Sequence, residues 1–225
     1  TDEVPTRPFH RIEGLMTTLV IGANGQIGRQ FCELAQAVDL PIRAMIRDSG
    51  QRPWFEERDI ETVTADLEGE LHHAFDGCDQ VMFGAGSGPH TGPDKTLLID
   101  LHGAIRAVDL ACELGLSRFL MVSAMRAEKP LAAPEKLRPY MAAKHAADAH
   151  LRNSAVPHLI LKPGRLTDEL ATQRVATSLE EAGGENSVSR ANVAHALVHL
   201  AQARDLMNRE FVLLDGERPI AEALS

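Results

Sequence analysis

The sequence predicts a doubly wound parallel α/β sheet in one domain, and three observations predict it. Short apolar runs alternate with segments of helical period along the chain. The first run opens straight into a glycine turn and a helix. The composition is 44% apolar but only 4% aromatic, so the core is aliphatic, as two-faced sheets built from Val, Ile, Leu and Ala require.

Met16 to Ile21 forms the first strand, and in the following segment 26–38 Ile27, Phe31, Leu34 and Val38 share one helical face. Ile42–Ile46 is a second strand, introduced by Pro41. Glu61–Ala65 is a third, closed by Asp66-Leu67, and Gln80–Phe83 a fourth, ending in Gly84-Ala-Gly-Ser-Gly88. A long helix runs from about Lys95 to Leu114, where Gly115 stops it. Arg118–Ser123 is the fifth strand, Arg138–Arg152 a helix and Pro157–Leu161 the sixth strand. A helix near 190–203 and the apolar run Phe211–Leu214 complete small C-terminal elements on the substrate side. The domain therefore spans 16–225. Residues 1–15 read as an N-terminal extension, foreign or disordered, with Met16 as an alternative start and no apolar segment of a secretory signal.

Net charge is −9 with no block of like charge, which argues against nucleic acid or an anionic membrane as partner. No apolar stretch reaches the roughly 18 residues that a membrane span needs. Cys32, Cys78 and Cys112 are odd in number and read as structural thiols of a reducing cytoplasm. A small-molecule substrate is the expected partner, and oligomeric state is not legible.

Gly22-Ala-Asn-Gly25-Gln-Ile-Gly28 sits where strand turns to helix. Gly22 allows the bend, Gly25 lets backbone N–H groups approach an anion, and Gly28 lets helix and strand pack. The helix directs unpaired N–H groups and its positive dipole end to the same spot, which suits a pyrophosphate. Asn24, Gln26 and Ile27 belong to the same cradle. The spacing G-x-x-G-x-x-G displaces one glycine from the commoner G-x-G-x-x-G, and a glycine-rich turn without ligand is the competing reading. At the end of the second strand stands Arg47, followed by Asp48. A guanidinium there suits the 2′-phosphate of NADP; NAD is the alternative if Asp48 takes the ribose instead.

Tyr140-x-x-x-Lys144 puts a phenol and an ammonium on one helical face. A cation beside tyrosine favours its phenolate, which makes the pair a proton donor and its partner next to a hydride carrier. The chain has one tyrosine and five lysines, which sharpens a pattern that is otherwise weak. A surface i,i+4 pair is the bland alternative.

The glycine turn, Arg47, Asp66-Leu67, Val122-Ser123, Tyr140-x-x-x-Lys144 and Lys162-Pro-Gly-Arg-Leu166 follow in this order. Together they resemble the atypical and extended short-chain dehydrogenase/reductase superfamily, in particular small epimerase/dehydratase-like and NmrA-like NAD(P)-binding proteins. Arg190–His195 and Phe211–Gly216 resemble that group's C-terminal helix and strand. The resemblance implies a single-domain Rossmann fold. It implies that Asp66-Leu67 lies against the adenine, that Gly84, Ala85 and Gly86 line the cofactor, and that Lys144 reaches the nicotinamide ribose. It further implies that Pro163 sits beside the nicotinamide and that Ser123 belongs to the cofactor-binding set, with Tyr140 and Lys144 as the catalytic pair.

One position departs from that pattern. The hydroxyl expected just after the fifth strand falls at 124, which is Ala, and Ser123, one place early, faces the other side. Losing such a donor in other enzymes costs about 3–4 kcal/mol of transition-state stabilisation. Two readings follow: an NADP-dependent oxidoreductase acting on a small carbonyl, quinone or flavin-like acceptor, and a non-catalytic NADP(H)-binding regulator or redox sensor. His195-x-x-x-His199 has metal-ligand spacing, but Ala196 stands where H-E-x-x-H needs Glu, and no metal site is expected. His90, in the loop Gly84–Asp94, is a candidate substrate contact. Residues 167–187 are expected to form a mobile lid.

Overall fold

A computed structural model describes residues 16–88 and 91–225; the expected extension 1–15 and His90 lie outside them. The chain alternates β1 (Thr18–Ile21), α1 (Gln26–Ala37), β2 (Ile42–Ile46), α2 (Arg52–Glu56), β3 (Glu61–Thr64) and β4 (Gln80–Phe83). Next comes a continuous helical stretch made of α3 (Pro93–Lys95), a π-helical segment (Thr96–Gly103) and α4 (Ala104–Glu113). Then follow β5 (Arg118–Val122), α5 (Arg138–Arg152), β6 (His158–Pro163), β7 (Arg165–Thr167), β8 (Arg174–Ala176), β9 (Ser187–Ser189), α6 (Arg190–Gln202), β10 (Arg209–Asp215), β11 (Arg218–Pro219) and α7 (Ile220–Ala223).

The main sheet of the described residues has the order β11-β8-β10-β6-β5-β4-β1-β2-β3. From β3 to β10 every pairing is parallel. The order 3-2-1-4-5-6 reverses between β1 and β4, and ligands of such sheets bind at the carboxyl ends of the strands at that switch point. Here Gly22 and Gly84 leave the sheet side by side.

Both faces are covered, so the central strands read as unbroken apolar runs rather than alternating ones. Alternation survives in where each side chain goes. Leu19 and Ile21 of β1, Val81 and Phe83 of β4, and Phe119 and Met121 of β5 pack with Val108 of α4 and Leu151 of α5. Val20, Met82 and Leu120 pack on the opposite face with Phe31 of α1, Phe55 of α2 and Leu197 of α6. Cys32 lies in that second core, where burial pushes its thiol up to about 12, and burial pushes Cys78 up to about 11.

Two expectations are corrected. The helix from 95 to 114 begins at Pro93 and carries the π segment in its interior. The stretch 167–187 is not a free lid. β8 pairs antiparallel with β10, Leu214 opposite Ala176, and β9 pairs parallel with β7. Val175 is fully buried, and Gly216 has no room for a side chain: a Cβ there would stand 2.6 Å from the Val175 carbonyl carbon. Ladder hydrogen bonds and an apolar anchor tie this polar stretch to the sheet.

Candidate functional site

The site grows out of the β1–α1 turn. Gly22 has φ +92 and lies so close to the β4 exit that a Cβ would stand 2.5 Å from the Ala85 amide nitrogen. At Gly28 a Cβ would meet the Gly22 carbonyl oxygen at 2.2 Å, so only glycine lets α1 start this near the sheet. Gly25 donates its N–H to the Gly22 carbonyl at 3.0 Å and precedes α1. No side chain caps that helix. Its first N–H groups, at Gln26 and Ile27, therefore open onto the turn, the arrangement that receives a phosphate. Arg29 reaches back from α1 and donates to the Asn24 side-chain carbonyl at 2.6 and 3.1 Å while stacking 4.7 Å over Trp54. Asn24 is thus held in place by the helix that it precedes.

A cleft of about 310 Å3 opens at the carboxyl ends of β1, β2, β3 and β4. It brings together Gly22, Asn24, Gly25, Arg47, Asp66, Leu67, Gly84, Ala85 and Gly86. Sequence reasoning did not single out Ile21, Met45, Gln51, Ala65 and Ile99, which complete its walls. Gln51 has a readable role in hindsight: its side-chain oxygen accepts the Arg47 N–H at 3.2 Å and shapes the strand end. Asp66 accepts the Glu68 N–H at 3.0 Å, and Arg106 of α4 donates to the Leu67 and Gly69 carbonyls at 2.6 and 2.7 Å, so the turn that bounds the cleft is fastened from behind. Asp48 caps the turn Ser49–Gln51, accepting the Gly50 N–H at 2.7 Å. One of its oxygens is thus engaged by its own loop, and Arg47 is among the residues that line the cleft.

The remaining expected residues form a second group. Lys144 is buried, donates to the Val122 carbonyl at 3.2 Å, and lies 5.7 Å from the centre of the Tyr140 ring. One further group, absent from the sequence reading, meets it: Asp100 of the π segment, with Oδ1 3.6 Å from the ammonium. Pro163 is fixed beside the β5 exit, its carbonyl accepting the Met125 N–H at 2.9 Å. None of Ser123, Tyr140, Lys144 and Pro163 lines the cleft around Gly22. The Ser123 hydroxyl donates to buried Asp148 of α5 at 2.6 Å. Its proton is thus engaged by that carboxylate. His195 and His199 both lie on α6, where burial lowers both imidazoles.

A turn with no room for a Cβ at Gly22 or Gly28, an uncapped helix start and a cleft walled by strand ends fit a dinucleotide whose phosphates sit at the turn. The family model described as NAD(P)H-binding matches residues 22–204. The chain belongs to that NAD(P)H-binding family. Its relatives include the uncharacterized sugar epimerase YhfK of Bacillus subtilis, 42% identical over 213 residues, which cover 93% of this chain and 99% of that protein. A solved Bacillus halodurans protein described as an NAD-dependent epimerase/dehydratase superposes with a TM-score of 0.88 at 38% identity, covering 93% of this chain and 98% of the other. The oxidoreductase ylbE of Lactococcus lactis superposes with a TM-score of 0.82 at 25% identity, covering 93% and 95%. The fold is thus an NAD(P)-binding Rossmann domain with an epimerase/dehydratase-like relative, as its motifs led us to expect.

Proposed function

We propose that the protein is an NADP(H)-dependent oxidoreductase that reduces a small carbonyl, quinone or flavin-like acceptor. Tyr140 acts as proton donor and Lys144 as its cationic partner. The carrying observation is the buried Lys144 ammonium, held by the Val122 carbonyl within 5.7 Å of the ring centre of the chain's one tyrosine. NADPH, when bound, supplies a hydride. The chain's own residues do the rest: the uncapped start of α1 and the glycine turn receive the phosphates, and Tyr140 delivers a proton from its hydroxyl to the reduced oxygen. Lys144 favours the phenolate left behind. Asp48 Oδ1 accepts the Gly50 N–H, and Arg47 is among the residues that line the cleft, which offers a 2′-phosphate a guanidinium at the strand end. This supports NADP over NAD. We assign the activity to small molecules, because a net charge of −9 disfavours nucleic acid and anionic membranes, and to the cytoplasm, because three free cysteines fit a reducing compartment.

A specific observation favours a second reading, a non-catalytic NADP(H)-binding regulator. Ala124 offers a methyl where the superfamily offers a hydroxyl, and Ser123 is bound to Asp148. NADPH consumption against aldehydes, ketones, quinones and flavins separates the two. On the oxidoreductase reading at least one class is turned over, and Tyr140→Phe lowers carbonyl turnover by about 100-fold or more. Ala124→Ser raises the carbonyl rate and leaves quinone or flavin rates unmoved, since the new donor meets only a developing oxyanion. No consumption by the parent or by Ala124→Ser, with NADPH still bound, replaces the oxidoreductase with the regulator.

A further inference from the structure

We propose that Arg29 is a positioning residue for the cofactor phosphates: it orients the Asn24 amide group as a donor to the cleft and sets an uncompensated positive charge beside the glycine turn. The proposal rests on the NAD(P)-binding reading of that turn and needs no turnover. The guanidinium donates to Asn24 Oδ1 from both Nε and Nη2, at 3.1 and 2.6 Å. A guanidinium has donors only, so the atom it meets must be the amide oxygen, and the NH2 group is left over. Asn24 lines the cleft, and its NH2 has no hydrogen-bond partner among the described residues. It therefore joins the N–H groups of Gln26 and Ile27 as a side-chain donor in a cradle otherwise made of backbone.

The helix itself does not call for this arginine. Arg29 sits one turn into α1, toward the positive end of the macrodipole, where a cation is unfavourable. No acidic side chain stands in the first turn to offset it. Nor does Arg29 have a carboxylate partner among the described residues, whereas Arg58 close by is paired with Glu33 at 2.9 Å. Both guanidiniums lie over the ring of Trp54, Arg29 at 4.7 Å and Arg58 at 4.1 Å from its centre. The ring gives Arg29 a fixed platform without neutralising it. A held, unneutralised cation next to a turn of free N–H groups is unfavourable in the free protein and is offset when an anion arrives. Arg29 thus joins the Trp54 stack outside the cleft to a phosphate donor on its wall.

The test is a mutant cycle on cofactor affinity. Calorimetry with NADPH, repeated with NADH, should show Arg29→Met binding about tenfold more weakly than the parent. In an Asn24→Ala background the same change should lose less than about threefold, because the amide that Arg29 orients is gone. A role confined to the stability of α1 would weaken binding equally in both backgrounds. Asn24→Asp keeps an acceptor for the guanidinium but replaces the NH2 with a second oxygen, so it should bind more weakly than Asn24→Ala. Should Arg29→Met fold poorly, Arg29→Lys answers the same question. It keeps the charge but not the two-pronged contact, and should still lose about threefold or more. Equal losses in both backgrounds, Asn24→Asp binding better than Asn24→Ala, or Arg29→Lys binding like the parent overturns the positioning role while the cofactor reading stands. A folded parent that binds neither nucleotide overturns both.

Discussion

The two ends of the sheet treat buried polar groups in opposite ways. At the amino end, Arg118 opens β5, Gln80 opens β4 and Thr18 opens β1, and all three are buried. The Arg118 guanidinium donates to Gln80 Oε1 at 2.9 and 3.2 Å and to the Ala201 carbonyl at 2.7 Å, and it also reaches the Ala203 carbonyl. Gln80 passes its amide N–H to Thr18 at 2.8 Å and to Ala201. One arginine thereby satisfies the last carbonyls of α6 and ties three strands to it. At the carboxyl end, Asp100 Oδ1 and Asp148 Oδ1 are buried without hydrogen-bond partners among the described residues, and no side chain caps the start of α1. A buried polar atom left unpaired costs about 1–3 kcal/mol. The amino end is closed for stability; the carboxyl end keeps its unpaired groups where a ligand or a charge partner is needed.

The largest expected effect breaks the closed end. Arg118→Met leaves buried Gln80 Oε1 without its donor, removes one donor each from the Ala201 and Ala203 carbonyls, and should lower unfolding free energy by about 3–5 kcal/mol. Urea unfolding measures it. NADPH affinity of the folded fraction should stay within about twofold, because no Arg118 contact reaches the cleft. A large affinity loss would mean that the two ends are not independent.

Next in size is Gly25→Val at the open end. Gly25 is less crowded than Gly22 and Gly28: a Cβ would stand 3.3 Å from the Gly22 carbonyl oxygen, which must give by a few tenths of an ångström, and its backbone is extended, with φ −73. The fold should survive while the side chain fills the place of the phosphates, so calorimetry should show NADPH affinity falling about 100-fold, or about 2.7 kcal/mol. An unchanged affinity in a folded variant would remove the turn from the site.

Arg47→Ala asks for less. A charge-assisted hydrogen bond is worth about 1.5–3 kcal/mol, so the variant should lose about ten- to hundredfold in NADPH affinity and little in NADH affinity. A parent that prefers NADH would show that the Asp48 turn opens on binding and that the carboxylate selects the cofactor.

The same contrast explains what could be read from the chain. Strand and helix order was legible because apolar period is a local property, and β2, β4 and α5 coincide with the expected segments. The Gly22–Gly28 turn was legible because glycine spacing reports close approach directly. Asp100 was not. In Ile99-Asp100-Leu101 it reads as a polar residue on a helix surface, and only the π segment and a lysine 44 positions later bury it. The Ser123–Asp148 bond spans 25 positions and carries no local signature. Residues 174–176 looked like part of a lid because three residues are too few for a strand period, and their pairing depends on β10 arriving alongside.

The smallest effect tests the ground between the ends. Glu210 of β10 receives Arg152 of α5, with Nη2 at 3.1 Å, and Lys162 of β6 at 2.6 Å, and Arg152 lies 4.0 Å from Asp148. The Arg152 hydrogen bond, aided by Lys162, holds the Glu210 carboxyl down to about 2 from an ordinary 4.5. A carboxyl held low in the folded state stabilises above its unfolded value and loses that contribution as pH falls through the folded one. Glu210→Gln should therefore melt below the parent at pH 7. The group is about 30% exposed, and solvent screening limits the difference to about 1 kcal/mol, or about 2–4 °C. The gap should narrow below about 4.5 and close near 2. Asp148 works in the opposite sense, since burial raises its carboxyl and makes its ionised form a cost at neutral pH. Thermal melts of both proteins from pH 7 to pH 2 decide the matter. A gap that is constant across that range would mean that Glu210 contributes by packing alone, and that the charges behind Lys144 are not linked through Arg152 to β10.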